Sequence, residues 1–325
     1  MSFVRHAFQT MHPAAQVVML ACIVLTFMAL AAGVGMVWAS NGNMAELQSL
    51  MTDSQTGQLP RKAMLAMNNA NQLLAFFGAS WAFAALVGRR HLGGFYLRAP
   101  AVRMLLLAGI VALGMSPLLD FTYRLNEWAL VPGSDIHTWA GALESQAMVI
   151  TKSILQFSST TDVLPVLFSV AVLPALCEEW LFRGTLQPIL VRASGNIHVG
   201  IWVSAALFSA IHMQFFGFIP RMLLGAGFGY LVVYSGSLWP AILGHFVNNA
   251  GVVVAAWWMG SEWLEDGLEP QALATWEWTD WTVALVALIG LAWALRQLGR
   301  FGSTSAYLSA LNPEATPSEQ TPLQS

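Results

Sequence analysis

Apolar stretches long enough to cross a lipid bilayer recur along this chain, and they limit its fold more than any other feature. A helical span needs about 20 mostly apolar residues, because hydrocarbon offers no partner to backbone N–H and C=O groups. The candidates are Ala14–Ala39, Asn71–Val87, Ala101–Leu119, Val163–Phe182, Val199–Phe216, Met222–Tyr234, Leu238–Met259 and Trp281–Leu298. Composition agrees: only 10% of the 325 residues are charged and 56% are hydrophobic. A soluble domain carries about 25% charged residues. The expected fold is therefore all-α, a polytopic membrane protein of about eight transmembrane helices with a polar intramembrane cavity. The first run is longer than the apolar part of a signal peptide and is expected to be retained as a span. The sixth is short, with Gly225, Gly227 and Gly229, as close helix packing favours.

An even number of spans puts both termini on one side. With the termini in the cytoplasm, the outer segments hold Arg61, Lys62, Arg124, Lys152 and Arg221, and the inner ones hold the other nine of the 14 Lys and Arg. The loop before the last span has neither Lys nor Arg, but carries Glu262, Glu265, Asp266, Glu269, Glu277 and Asp280. The positive-inside rule then favours cytoplasmic termini, in the plasma (inner) membrane of a prokaryote. Trp257, Trp258, Trp263, Trp276, Trp278 and Trp281 around that loop fit an interfacial aromatic belt.

Between the spans, Asn41–Asn69 is polar and is expected to be an exterior loop. Thr138–Phe157 is amphipathic and suits the outer interface or a partial dip inward. The tail Gly302–Ser325 is rich in Ser, Thr, Pro and Glu, and is expected to be disordered. The chain thus divides into 1–160, holding spans one to three and an extracytoplasmic amphipathic segment, a core at 161–260, a Trp/acidic loop with the last span at 261–301, and a tail at 302–325. No basic cluster suggests a nucleic-acid partner; membrane lipid is the partner that composition implies. Cys22 and Cys177 both lie in apolar runs, which indicates neither a disulfide nor a thiolate metal site.

Acidic, basic and histidine side chains are few in the fourth, fifth and seventh spans, counting Arg183 just past the end of the fourth: Glu178, Glu179, Arg183, His212 and His245, with Asn248 and Asn249 beside the last. Charge inside a membrane is costly and marks a functional site by default. Glu179 and Arg183 are four residues apart on a helix, so they share a face and can pair. Glu178 is rotated by about 100° from its neighbour and can keep an environment of its own. His245 and Asn249 are also four apart. A buried carboxylate and a histidine can activate water as a general base, and a histidine with an amide can donate to an oxyanion. Two His and one Glu could instead bind zinc with an open position, but no His-Glu-x-x-His motif supports that alternative.

Glu178-Glu179-x-x-x-Arg183, Phe208-x-x-x-His212 and His245-x-x-x-Asn249 resemble, in order and on separate spans, the three motifs of the CPBP family. These are the CAAX-protease and bacteriocin-processing (Abi) intramembrane endopeptidases. The resemblance covers about Val163 to Met259, which makes 161–260 a CPBP-like catalytic core. It implies a cavity open to the cytoplasm, Glu178 activating water with help from His212, and an oxyanion site at His245 and Asn249. Glu179 and Arg183 would support the first motif. It also implies a peptide or protein substrate, possibly lipidated, and catalysis without an obligatory cofactor. A metal-dependent peptidase on the same residues is the alternative within the enzyme class. A non-enzymatic immunity or transport scaffold is the alternative outside it, although the internal repeat common in transporters is missing.

Overall fold

The structure, a computed structural model, describes residues 8, 10–87, 98–131, 133–260 and 277–311. Every element among them is a helix. In chain order they are α1 (Pro13–Ala39), α2 (Met44–Thr56), α3 (Arg61–Val87), α4 (Val102–Gly114), α5 (Ser116–Ala129) and α6 (Asp135–Leu155). Then follow α7 (Thr160–Ser194), α8 (Ile197–Ala210), α9 (Phe218–Ser235), α10 (Trp239–Met259), α11 (Trp278–Phe301) and α12 (Ser305–Leu311). Six helices, α1, α3, α7, α9, α10 and α11, are long and apolar enough to cross a membrane, and the bent pair α4–α5 makes a seventh. The chain is an all-α integral membrane protein.

Each expected span has a helical counterpart, with four differences of extent. Asn41–Asn69 is not a loop but holds α2 and the first turns of α3. Asn43 caps α2 by accepting from the amides of Ala45 and Glu46. Ala63, Ala66 and Ala70 are buried along α3, which packs closely on α1: a Cβ on Gly35 would come within 2.7 Å of Met67 Cα. The polar surface of this stretch is one face of a helix. The third span bends by 44° at Met115–Pro117 and runs on as α5 to Ala129. Pro117 in the first turn of α5 cannot continue the hydrogen-bonding of α4. The fourth span extends to Ser194, giving α7 35 residues. The fifth is short: α8 ends at Ala210 after 14 residues.

The expected disordered tail begins instead with α12, where Tyr307 and Leu311 are buried against the bundle. Its remainder lies outside the described residues, as do Glu262, Glu265, Asp266, Glu269, Trp263 and Trp276 of the acidic loop. Trp258 and Trp278, at the two ends of that loop, are 80% and 89% exposed. The amphipathic segment is α6, whose Ser134 cap accepts from the His137 amide.

Contacts to α7 set the topology around the centre. α3 runs parallel to it, with Arg61 on Asp162 at one end, then Asn68 on Ser169, then Gln72 on Glu178. α9 is also parallel, with Gly225 beside Arg183 and Gly229 beside Gln187. α10 is antiparallel, with His245 on Glu179 and Asn249 on Val170. α8 returns antiparallel, with Gly200 against Val191. A Cβ on Gly200 would lie 2.8 Å from the Val191 backbone nitrogen, which cannot move aside. Gly200→Val is expected to cost about 1–3 kcal/mol through overpacking. A lowered thermal midpoint of the detergent-solubilised protein checks it.

Candidate active site

Three π-helical turns interrupt the helices near the centre: Gln72–Gly78 in α3, and Phe168–Val172 and Trp180–Leu186 in α7. Such turns displace the regular backbone ladder and occur often at functional sites. In the Phe168–Val172 turn, the Ser169 carbonyl accepts from Asn68 Nδ2 at 2.7 Å and the Val170 carbonyl from Asn249 Nδ2 at 3.0 Å. Side-chain amides from two neighbouring helices are thereby tied to α7. Glu178 and Glu179 close the α-helical stretch Leu173–Glu179, immediately before the third π-helical turn.

Glu179 and Arg183 are both 0% exposed and pair at 2.8 Å. Arg183 also donates to the Gly225 carbonyl at 2.9 Å. Its guanidinium lies 4.6 Å from the Phe208 ring centre, with Phe228 and Phe182 at 5.8 and 5.9 Å. Gly225 makes this approach possible, since a Cβ there would sit 2.9 Å from Arg183 Nη2. The glycines expected to serve packing do so at Gly225 and Gly229, and they also leave room for Arg183 and Gln187. Glu179 accepts a second hydrogen bond, at 2.8 Å from His245 Nδ1.

Glu178 has a different setting. It is 6% exposed, and its Oε1 accepts from Gln72 Nε2 at 2.8 Å. Its Oε2 lies 4.0 Å from His245 Nε2. His245 stands between the two glutamates with its ring stacked on Phe228, 5.7 Å between centroids and 17° between planes. The independence expected of Glu178 is therefore partial, because one histidine touches both carboxylates.

His212 is not on a membrane-spanning helix. It lies in the turn after α8, two residues past Ala210. Its ring packs edge-on to Phe208 at 5.2 Å, and Phe208 in turn meets His245 at 5.9 Å. His212 Nδ1 is 2.8 Å from the Phe208 carbonyl. A carbonyl only accepts, so Nδ1 carries the proton and Nε2 of the neutral ring keeps a lone pair. Glu178 and His245 lie within electrostatic reach of this ring.

The His212 turn is braced from outside. Asn126 of α5 donates to the Phe216 carbonyl at 3.1 Å. Arg221 of α9 donates to Gln214 Oε1 at 2.6 Å, and Gln214 donates to Glu144 of α6 at 3.1 Å. Burial pushes the Glu144 carboxyl upward, against the pull of the nearby Arg221 charge.

Of the sequence-predicted residues, Glu179, Arg183 and His245 are joined by direct bonds, Glu178 lies beside His245, and His212 reaches them through the Phe208 ring. Asn249 is turned partly away: one amide hydrogen goes to Val170, and its oxygen accepts from Asn248 at 3.1 Å. Among the described residues, no three or more His, Cys, Asp or Glu are grouped so as to hold a metal ion. Cys177 is buried in an apolar cluster with Leu20, Phe76 and Phe83. Gln72 escaped the sequence reading, and Asn248, adjacent to Asn249 but off the motif register, was set aside. The run Asn68, Asn69, Asn71, Gln72 at the entry to an apolar segment was the available signal.

Residues 160–251 match the model of the family described as Type II CAAX prenyl endopeptidase Rce1-like. Over that segment the chain resembles this family, as its motifs indicate, and the segment holds all three of them. The uncharacterized protein YpbD of Bacillus subtilis (strain 168) is 28% identical over 91 residues, covering 27% of this chain and 43% of the relative. The chain therefore spans less than half the length of that curated relative. No solved structure matches the chain.

The unequal settings of the two glutamates predict unequal mutants. Glu179→Gln breaks a buried ion pair and leaves Arg183 uncompensated, a loss of about 3–5 kcal/mol. Glu178→Gln removes a carboxylate that has no ion-pair partner within hydrogen-bonding distance, and should change stability by about 1 kcal/mol or less. Thermal unfolding of the two variants side by side checks this.

Proposed function

We propose that this protein is an intramembrane endopeptidase of the CAAX-protease type that hydrolyses a peptide bond in a peptide or protein substrate at the membrane. The observation that carries the reading is the arrangement of Glu178 and His245, with one carboxylate oxygen held by Gln72 and the other 4.0 Å from the imidazole, inside the segment that matches the family. Glu178 takes a proton from a water molecule as its oxygen attacks the carbonyl carbon of the scissile bond. That proton then passes to the leaving amine as the carbon–nitrogen bond breaks. His212, with its Nε2 lone pair, orients the water and assists the proton transfer. The oxyanion is stabilised by His245 and by the second amide hydrogen of Asn249. For His245 to donate, Nε2 must carry a proton as well, because Nδ1–H is taken by Glu179. Glu179 and Arg183 hold His245 and α9 in place. The mechanism uses no metal.

The charge bias supports cytoplasmic termini. Polar side chains continue from Glu178 through Asn68, Asn69, Ser169 and Asn249 toward the end of the bundle that bears Arg61 and Asp162. At that end Arg61, Asn69, Asp162 and Ser169 help to line a cavity of about 360 Å³. In the other direction the groups next to the site, Arg183 and Gln187, are both 0% exposed. This polar path supports an opening at the Arg61–Asp162 end, opposite the end of the bundle that bears Pro13 and Phe301, and under that reading the termini and the opening face different sides. With the termini in the cytoplasm, the site opens to the outer side, and this is the orientation we propose. Reporter fusions after residue 311 should then be active in the cytoplasm, while Lys62→Cys should react with an impermeant maleimide from outside. Labelling of that cysteine only from the cytoplasmic face would reverse the orientation.

Catalysis is tested with purified wild type, Glu178→Gln and His212→Ala on a library of internally quenched peptides, with and without a lipid chain. Loss of the base should lower kcat by about 100-fold or more. Turnover surviving in both variants would remove the mechanism. Inhibition by a chelator, reversed only by added metal, would replace it with a metal-dependent one.

A further inference from the structure

The structure assigns Gln72 of α3 a part in the same site: we propose that it is a positioning residue that holds the Glu178 carboxylate with Oε2 turned toward the reacting groups. The inference rests on the peptidase reading for its kinetic consequence, and on the geometry alone for the contact itself. Gln72 lies outside the segment 160–251 and belongs to a helix that carries none of the three motifs.

Its side chain is buried, with 4% exposure, and Nε2 lies 2.8 Å from Glu178 Oε1. The amide orientation follows from chemistry. Reversed, it would set the amide oxygen against a carboxylate oxygen, so the NH₂ group faces Glu178. The amide oxygen, also buried, has no hydrogen-bond partner among the described residues. A buried half-satisfied amide is costly. Mere packing between α3 and α7 would be served better by Leu or Met. What Gln adds at this position is the charge-assisted bond to Glu178.

Two features keep that bond in register. One turn earlier on the same face, Asn68 donates to the Ser169 carbonyl at 2.7 Å, so α3 is joined to α7 at two points. Gln72 also begins the π-helical turn Gln72–Gly78, which re-aims the helix at this residue. With Oε1 anchored, the carboxyl group cannot rotate freely, and Oε2 stays 4.0 Å from His245 Nε2. A base held in one orientation is worth more than the same base free to turn, because misplacement at a reacting centre is costly in rate.

Wild type, Gln72→Met, Glu178→Gln and the double variant are compared on a peptide that the wild type cleaves. Loss of a hydrogen bond to a charged group predicts a fall in kcat of about 10- to 100-fold for Gln72→Met, with KM changed less than about threefold. In the Glu178→Gln background, Gln72→Met should bring no further loss. The infrared carboxyl band that is missing from Glu178→Gln should shift in Gln72→Met. If Gln72→Met does not fold, Gln72→Leu is measured in the same way. Unchanged kcat, or an equal fall in the Glu178→Gln background, overturns the positioning role. An unmoved infrared band overturns the contact. Should the wild type cleave no peptide at all, the peptidase reading fails, and the band alone decides whether Gln72 holds Glu178.

Discussion

A single guanidinium, Arg183, organises the centre of this bundle. It is wholly buried and held by a carboxylate four residues earlier, a backbone carbonyl on α9 and three aromatic rings, while its Nε has no hydrogen-bond partner among the described residues. An ion at such a depth persists only when its partners are placed well. Those partners fix other elements in turn. Gly225 must be glycine for α9 to come close. Glu179, pinned by Arg183, holds Nδ1 of His245 and so sets the ring of α10. Phe208, stacked over Arg183, carries on α8 the contact to His212. Four elements are thus aligned by one charge that itself does no chemistry in the proposed reaction.

The backbone contributes in a complementary way. Regular α-helices use up their carbonyls and offer nothing to neighbours in the bilayer. The π-helical turns of α3 and α7 relax that closure where the polar residues gather. Asn68 and Asn249 use carbonyls of the Phe168–Val172 turn as attachment points. The polar groups are therefore braced both through side chains and through main chain. Such bracing matters in a membrane, where helices have little hydrophobic incentive to stay together.

Much of this was legible in the sequence. The apolar runs marked every helix of the bundle core, since a span must be both long and apolar. Glu178, Glu179, Arg183, His212, His245 and Asn249 stood out because charge and amide groups are rare in such runs. The i, i+4 spacing paired Glu179 with Arg183. Extents were harder. Asn41–Asn69 looked like a loop because its buried face is, apart from Leu50, made of alanines, whose pattern is faint. The bend follows from Pro117, which hydropathy does not weigh, and nothing in hydropathy marks the early end of α8 at Ala210. Gln72 was hidden for a related reason: its role comes from the parallel register of α3 on α7, a tertiary fact with no local spacing to betray it. The shared position of His245 between both glutamates was equally non-local.

The brevity of α8 bears on how this side of the bundle is closed. Its 14 residues reach about 21 Å, whereas a hydrocarbon layer is about 30 Å thick. The length that α8 lacks is made up by protein: the turn that holds His212 is bonded to α5 through Asn126, to α9 through Arg221 and to α6 through the Gln214–Glu144 bond. Glu144 and Phe216 are buried there, so α5 and α6, which lie outside the segment 160–251, complete a wall that α8 alone is too short to make. A change in either helix would then be felt at His212 without touching any residue of the three motifs.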